Sequence, residues 1–191
     1  MKALRALIAS GVVVVASSMA ACAAPAAEVA PGTAVAGAAS GLTPRGDTLS
    51  GVRVDRVVDG DTLHVTVEGN DVTVRLIGIN TPETVKPDSP VECFGPESSE
   101  FAKRTLSGRT VTLEFDASQG MTDQYDRTLA YVWLEEPGGA LSLFNLQLVA
   151  GGFAYERQYG SVPYSWKGEF DAAEETARAT EAGLWGACPS G

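Results

Sequence analysis

The 191-residue sequence is short of positive charge: 14 Lys and Arg stand against 24 Asp and Glu, with a single His, for a formal charge of −10. Domains that coat nucleic acid nonspecifically are usually basic, so the acid excess excludes that class. Long apolar runs are missing too. Residues 6–16 are Ala, Leu, Ile and Val broken by Ser and Gly, well below the ~20 residues that a permanent membrane-spanning helix needs. No repeat is visible, and cysteine occurs at Cys22, Cys93 and Cys188 alone. What is present excludes two further classes. An apolar fraction of 45% is too high for a disordered chain, and 20% charged residues are too few for a polyelectrolyte. The length suits one domain with tails.

Lys2 and Arg5 precede the apolar run and small residues follow it, the pattern of a secretory signal peptide over residues 1–21. Met19-Ala20-Ala21-Cys22 resembles the bacterial lipoprotein cleavage box, with Met where Leu is commoner. The expectation is an exported protein, lipidated at Cys22 and held on the cell membrane outside the cytoplasm. An ordinary cut near Ala21–Ala24, giving a secreted protein, is the alternative. Residues 22–47 are rich in Ala, Pro, Gly, Thr and Ser and lack aromatics, so they read as a flexible tether. Cys93 and Cys188 are then an even pair in an oxidising compartment. As a disulfide they would pin the C-terminal tail to the body, contributing on the order of 4 kcal/mol by loop entropy. Two buried free thiols are the alternative.

Residues 48–191 carry the domain. Val52, Val54 and Val57 begin a β pattern, and Leu63, Val65 and Val67 alternate strictly with His64, Thr66 and Glu68. A turn at 68–71 leads to Val72, Val74 and Leu76. Val111, Leu113 and Phe115 give a fourth strand, and Leu129, Tyr131 and Trp133 a fifth. Helices are predicted over 96–106, 143–150 and about 165–180, each closed by a nearby glycine. Five short strands with a helix between the third and fourth predict an α+β, mainly β fold: a five-stranded OB-type barrel with three helices.

Polar residues gather where the strands end. Asp59-Gly60-Asp61-Thr62 is by itself an ordinary turn sequence. A hairpin, however, returns the end of the third strand to the start of the second. Asp61, Asn80 and the Thr81 carbonyl then surround one point with Glu83 beside them, an all-oxygen set that suits Ca²⁺. Arg75 and Arg127 are two of few basic residues in the body. Guanidinium forks grip phosphate oxygens and stabilise charge that builds at phosphorus. Bland readings fit most other residues. His64 lies on a polar strand register, Trp133, Trp166 and Trp185 suit core or helix packing, and Glu169–Glu181 suits a solvated helix face.

The order VDGDT, RLIGINTPET, ECFGPES, DQYDRTLAYVW, GLW resembles the staphylococcal-nuclease-like, or thermonuclease, family over about residues 51–188. The resemblance implies an OB barrel with three helices and a Ca²⁺-dependent phosphodiesterase. Such an enzyme hydrolyses DNA or RNA, endo- or exonucleolytically, at the bond to the 5′ oxygen and leaves 3′-phosphates. It also implies roles. Asp61 matches the principal Ca²⁺ ligand, Asn80 stands where a second Asp ligand is usual, Thr81 offers its carbonyl, and Asp59 is an outer carboxylate. Arg75 matches the arginine on the scissile phosphate, Glu83 the general base or water-orienting group, and Arg127 the leaving-group arginine. Tyr125 matches a tyrosine near a terminal phosphate, and Tyr155 and Tyr159 are base-stacking candidates. Lys86, in the loop after Glu83, is by its own position a further candidate for substrate contact.

Three departures stand out. Asn80 removes a negative charge, which predicts weaker Ca²⁺ binding. Asp126 replaces the usual Gly before Arg127, and Gln124 replaces a Lys. A rival reading is a membrane-tethered OB module that binds nucleic acid with little or no catalysis. In either case a monomer is expected, and single-stranded nucleic acid is the favoured partner. The acid excess is compatible with a hydrolase, which needs only a local positive centre and must release its product.

Overall fold

The computed structural model describes residues 39–84 and 89–188. Residues 1–21, expected as a signal peptide, Cys22, most of the expected tether and Lys86 lie outside the described residues. The strands are β1 (Thr48–Val57), β2 (Thr62–Val67), β3 (Asn70–Leu76), β4 (Ile79–Asn80), β5 (Thr110–Glu114), β6 (Thr128–Glu135), β7 (Leu141–Leu143) and β8 (Tyr155–Glu156). The helices are α1 (Gly95–Leu106), α2 (Phe144–Ala150) and α3 (Lys167–Ala179), followed by a single turn, α4 (Leu184–Ala187).

Local sequence explains the main turns. Val52, Val54 and Val57 are all buried although their spacing changes parity. A break in the β1–β2 register between Val54 and Arg56 absorbs the odd residue. Between β2 and β3, Glu68 and Gly69 both take positive φ, 51° and 83°, the two-residue turn whose twist matches a hairpin. Strand order is β3-β2-β1-β5-β6-β7, and a parallel β3–β6 pairing closes β1, β2, β3, β5 and β6 into a barrel. The expected OB-type architecture is therefore present. Leu63, Val65, Val74, Ala130 and Val132 fill its interior, while α2, buried at Phe144, Leu146, Leu148 and Val149, packs against α3.

Three features depart from the sequence expectation. β4 and β8 pair with each other over two residues apiece, too short a run to show alternation. Leu143 ends β7, paired with Trp133, and α2 starts one residue later. Most consequentially, residues 39–47, read from composition as part of the tether, dock against the domain. Ala39 is fully buried, and its carbonyl accepts the Leu143 N–H at 3.0 Å. The Gly41 N–H donates to the Leu141 carbonyl at 3.0 Å. Arg45 stacks over Trp166 at 3.7 Å and pairs with Glu169. The fully buried Glu114 accepts the N–H groups of Arg45 and Gly46 at 2.6 and 2.8 Å and the indoles of Trp133 and Trp166 at 2.7 and 3.2 Å. Backbone edges and one arginine do this docking, so composition gives no sign of it. Cys93 and Cys188 form a disulfide that ties the loop before α1 to the chain after α4. Among the described residues no helix is long and apolar enough to cross a membrane.

Candidate active site

Strand pairing assembles the site. In the β2–β3 hairpin Thr62 faces Arg75, and the Leu76 N–H donates to the Asp61 carbonyl at 2.9 Å. The parallel β3–β6 pair sets Arg75 beside Leu129, just after the 123–127 loop. β4 pairs Asn80 with Tyr155 of β8. These elements wall a cavity of about 530 Å³. Asp59, Asp61, Arg75, Asn80, Thr81, Glu83, Tyr125, Arg127 and Tyr159 all line it. Tyr155 does not; its ring packs edge-on against Trp185 at 5.2 Å.

Gly60 explains why this turn needs glycine between its two aspartates. A Cβ there would meet the Thr81 methyl carbon at 2.4 Å, so a side chain would push the Asp61 turn off Thr81. With glycine in place, one Asp61 carboxylate oxygen accepts the Thr81 N–H at 2.9 Å and its hydroxyl at 3.1 Å. The same oxygen pairs with Arg75 at 3.2 Å, and the other accepts the Thr62 hydroxyl at 3.1 Å. Asp59 accepts the Asp61 N–H at 3.1 Å. Burial, and then the Asp61 charge, push the Asp59 carboxyl up to about 6.

Arg75 is buried and fully engaged. Its guanidinium donates to the carbonyls of Leu76 at 2.8 Å and Ile79 at 3.0 Å and to the Tyr159 hydroxyl at 2.8 Å. Tyr159 in turn donates to the Asn80 side-chain oxygen at 2.9 Å. Arg127 has a simpler seat. Its Nε and Nη2 donate to Asp123 at 2.7 and 2.6 Å, and Asp123 also accepts the backbone N–H groups of Tyr125 and Arg127. Burial works against the Asp123 charge, but these bonds from Arg127 hold its carboxyl below the usual range. Asp126 reaches the left-handed region at φ 64°, the conformation that glycine adopts most readily.

Glu83 is half-buried and its loop is braced by Glu92. The Glu83 N–H donates to the Glu92 carboxylate and the Glu92 N–H to the Glu83 carbonyl, both at 2.9 Å. The Glu83 carboxylate accepts the Thr84 N–H at 2.8 Å. Cys93, next to Glu92, carries the disulfide.

Among the described residues no group of three or more His, Cys, Asp or Glu side chains is placed to hold a metal ion. The candidate donors are fewer in carboxylates: Asp59 and Asp61 share the cavity wall with Asn80 and Thr81. Neighbouring aspartates with neutral amide and hydroxyl oxygens on the same cavity wall are donors of the kind a hard divalent cation takes. His64, by contrast, bonds Asp71 at 2.9 Å outside the cavity lining, and Trp133 and Trp166 are core.

Sequence reasoning assigned no role to Arg157, Asp123, Glu92 or Tyr164. Arg157 sits two residues before Tyr159, so its place on the cavity wall depends on β8, the strand that periodicity could not show. Glu92 works through a backbone N–H, which leaves no motif, and Asp123 through backbone N–H groups as well as the Arg127 side chain.

The family model described as "Staphylococcal nuclease homologue" matches residues 73–187. The chain is 39% identical over 133 residues to a thermonuclease of Staphylococcus hyicus, covering 70% of this chain and 74% of that one. It is 45% identical over 106 residues to a thermonuclease of Staphylococcus intermedius, covering 56% and 59%. To the SPbeta prophage-derived endonuclease YokF of Bacillus subtilis (strain 168) it is 34% identical over 137 residues, covering 72% of this chain and 44% of that protein.

Proposed function

Because the chain belongs to the staphylococcal nuclease family, and is a nuclease-type hydrolase, we propose that it cleaves DNA or RNA with Ca²⁺, breaking the bond to the 5′ oxygen and leaving 3′-phosphates. The observation that carries this is convergence: Arg75, Glu83 and Arg127, from three separate segments, line one cavity. Asp61, Asn80 and the Thr81 carbonyl would hold the cation, with Asp59 just outside. When bound, Ca²⁺ supplies positive charge that offsets the anionic phosphodiester.

The chain's own groups account for the remaining chemistry. Arg75 binds the scissile phosphate and stabilises the charge that develops on its oxygens. Glu83 orients the attacking water and accepts its proton as the oxygen adds to phosphorus. Arg127 stabilises the departing 5′ oxygen. Tyr125, exposed at the rim, suits a terminal phosphate, and Tyr159 and Lys86 suit the adjoining nucleotide. A single or frayed strand presents bases and backbone together, so it is the favoured substrate. Export, with a lipid anchor at Cys22, completes the reading; the disulfide supports an oxidising compartment.

The test is the chemistry of the products. Purified protein should cut labelled single-stranded DNA or RNA with Ca²⁺, stop on EGTA, and leave 3′ ends that a polymerase extends only after phosphatase treatment. Binding without cleavage would instead favour the tethered OB module, and directly extendable ends would overturn the proposed bond.

A further inference from the structure

One cavity arginine, Arg157, takes no part in the proposed chemistry. Three guanidiniums line it, from Arg75, Arg127 and Arg157. Asp61 pairs with the first at 3.2 Å and Asp123 with the second at 2.6 Å. Among the described residues no carboxylate pairs with Arg157. Glu156, its neighbour in the chain, is occupied by the Tyr164 hydroxyl at 2.9 Å and by Lys167 at 3.4 Å. Arg157 is exposed at the cavity wall.

Its position is nonetheless fixed. The Arg157 N–H donates to the Gly78 carbonyl at 2.9 Å, continuing the β4–β8 pairing. Its guanidinium carbon lies 5.9 Å from the Tyr159 ring centre, and that of Arg75 lies 5.4 Å from the same ring. The Tyr159 hydroxyl is held between Arg75 and Asn80, so its ring is anchored with both guanidiniums near its centre. A polyanion laid across the cavity meets one cation already shared with Asp61 and, near the same ring, one that no described carboxylate neutralises.

We infer that Arg157 forms a second phosphate subsite, which takes a phosphodiester adjacent to the one being cut and sets substrate affinity. This rests on the nuclease reading for the identity of the polyanion. Arg157 is a binding residue here, so its removal should weaken capture more than chemistry. An exposed, multidentate contact of this kind predicts a loss of about three- to ten-fold in affinity.

The experiment compares wild type, Arg157→Ala, Arg157→Lys and Arg109→Ala. Arg109 is exposed, bonds the Glu135 carbonyl and lies outside the cavity, so its variant makes the same change in net charge. Fluorescence anisotropy with a short labelled single-stranded DNA in EGTA gives affinity against salt; steady-state cleavage with Ca²⁺ gives KM and kcat. Arg157→Ala should weaken binding, flatten the log–log salt slope by about 0.7, and raise KM more than it lowers kcat. Arg157→Lys should recover part of the loss, and Arg109→Ala should match wild type. Equal affinity and slope in Arg157→Ala and Arg109→Ala would overturn the subsite. If wild type binds but does not cleave, the nuclease reading fails while the anisotropy comparison still decides Arg157.

Discussion

The two arginines proposed to flank the scissile bond are seated in opposite ways. Arg75 is buried between strands of the barrel and meshed with two carbonyls, a tyrosine and Asp61. Arg127 is more exposed, rises from a loop, and depends on Asp123 four residues away. One is positioned by the whole fold and the other by a local turn. The architecture thus fixes Arg75, proposed for the phosphate, and leaves Arg127, proposed for the leaving oxygen, on a smaller, separable unit.

Replacing Arg75 should therefore damage folding and chemistry together. In Arg75→Ala, Asp61 is left buried without its cation, at a cost of about 3 kcal/mol in a denaturant melt, with cleavage down about a thousand-fold. Arg127→Ala should lose about 10²–10³ in kcat with less than ~1 kcal/mol of stability. Equal destabilisation of the two variants would erase the contrast.

Much of this was legible in the sequence, and the boundary of legibility is physical. The alternation of Leu63, Val65 and Val67 announces a strand, and the hairpin then places Asp61 against the end of β3. Separated motifs marked Arg75, Glu83 and Arg127. Periodicity could not reveal β4 and β8, two residues each, and with them went Arg157. Nor could composition show that Ala39–Asp47 docks through backbone bonds and through Arg45 on Trp166. Asn80 read as a ligand with one charge fewer; that its oxygen also accepts from Tyr159 requires the fold.

Glu83 extends the comparison to a third seat, braced from outside the barrel by Glu92. Glu92→Ala should lower kcat about five-fold, the worth of one hydrogen bond, with KM little changed. Glu92→Gln, whose amide oxygen still accepts the Glu83 N–H, should restore it. Equal losses in the two variants would remove the brace.

The smallest effect concerns Asp123. Its carboxyl is held below the usual range, so the stability it contributes is fully present above about pH 4 and lost as pH falls further. Asp123→Asn should be slightly less stable at neutral pH, with a flatter decline in acid, by urea melts. A decline as steep as wild type would place the acid-sensitive group elsewhere.

The most direct measurement is turnover of a fluorogenic single-stranded DNA by wild type and Glu83→Ala, each in Ca²⁺ and again after EGTA. Ca²⁺-dependent cleavage by wild type, reduced at least a hundred-fold or so in Glu83→Ala, is the predicted result. Glu83→Ala cleaving like wild type, or no cleavage from either protein, would contradict the reading of this cavity as a nuclease centre.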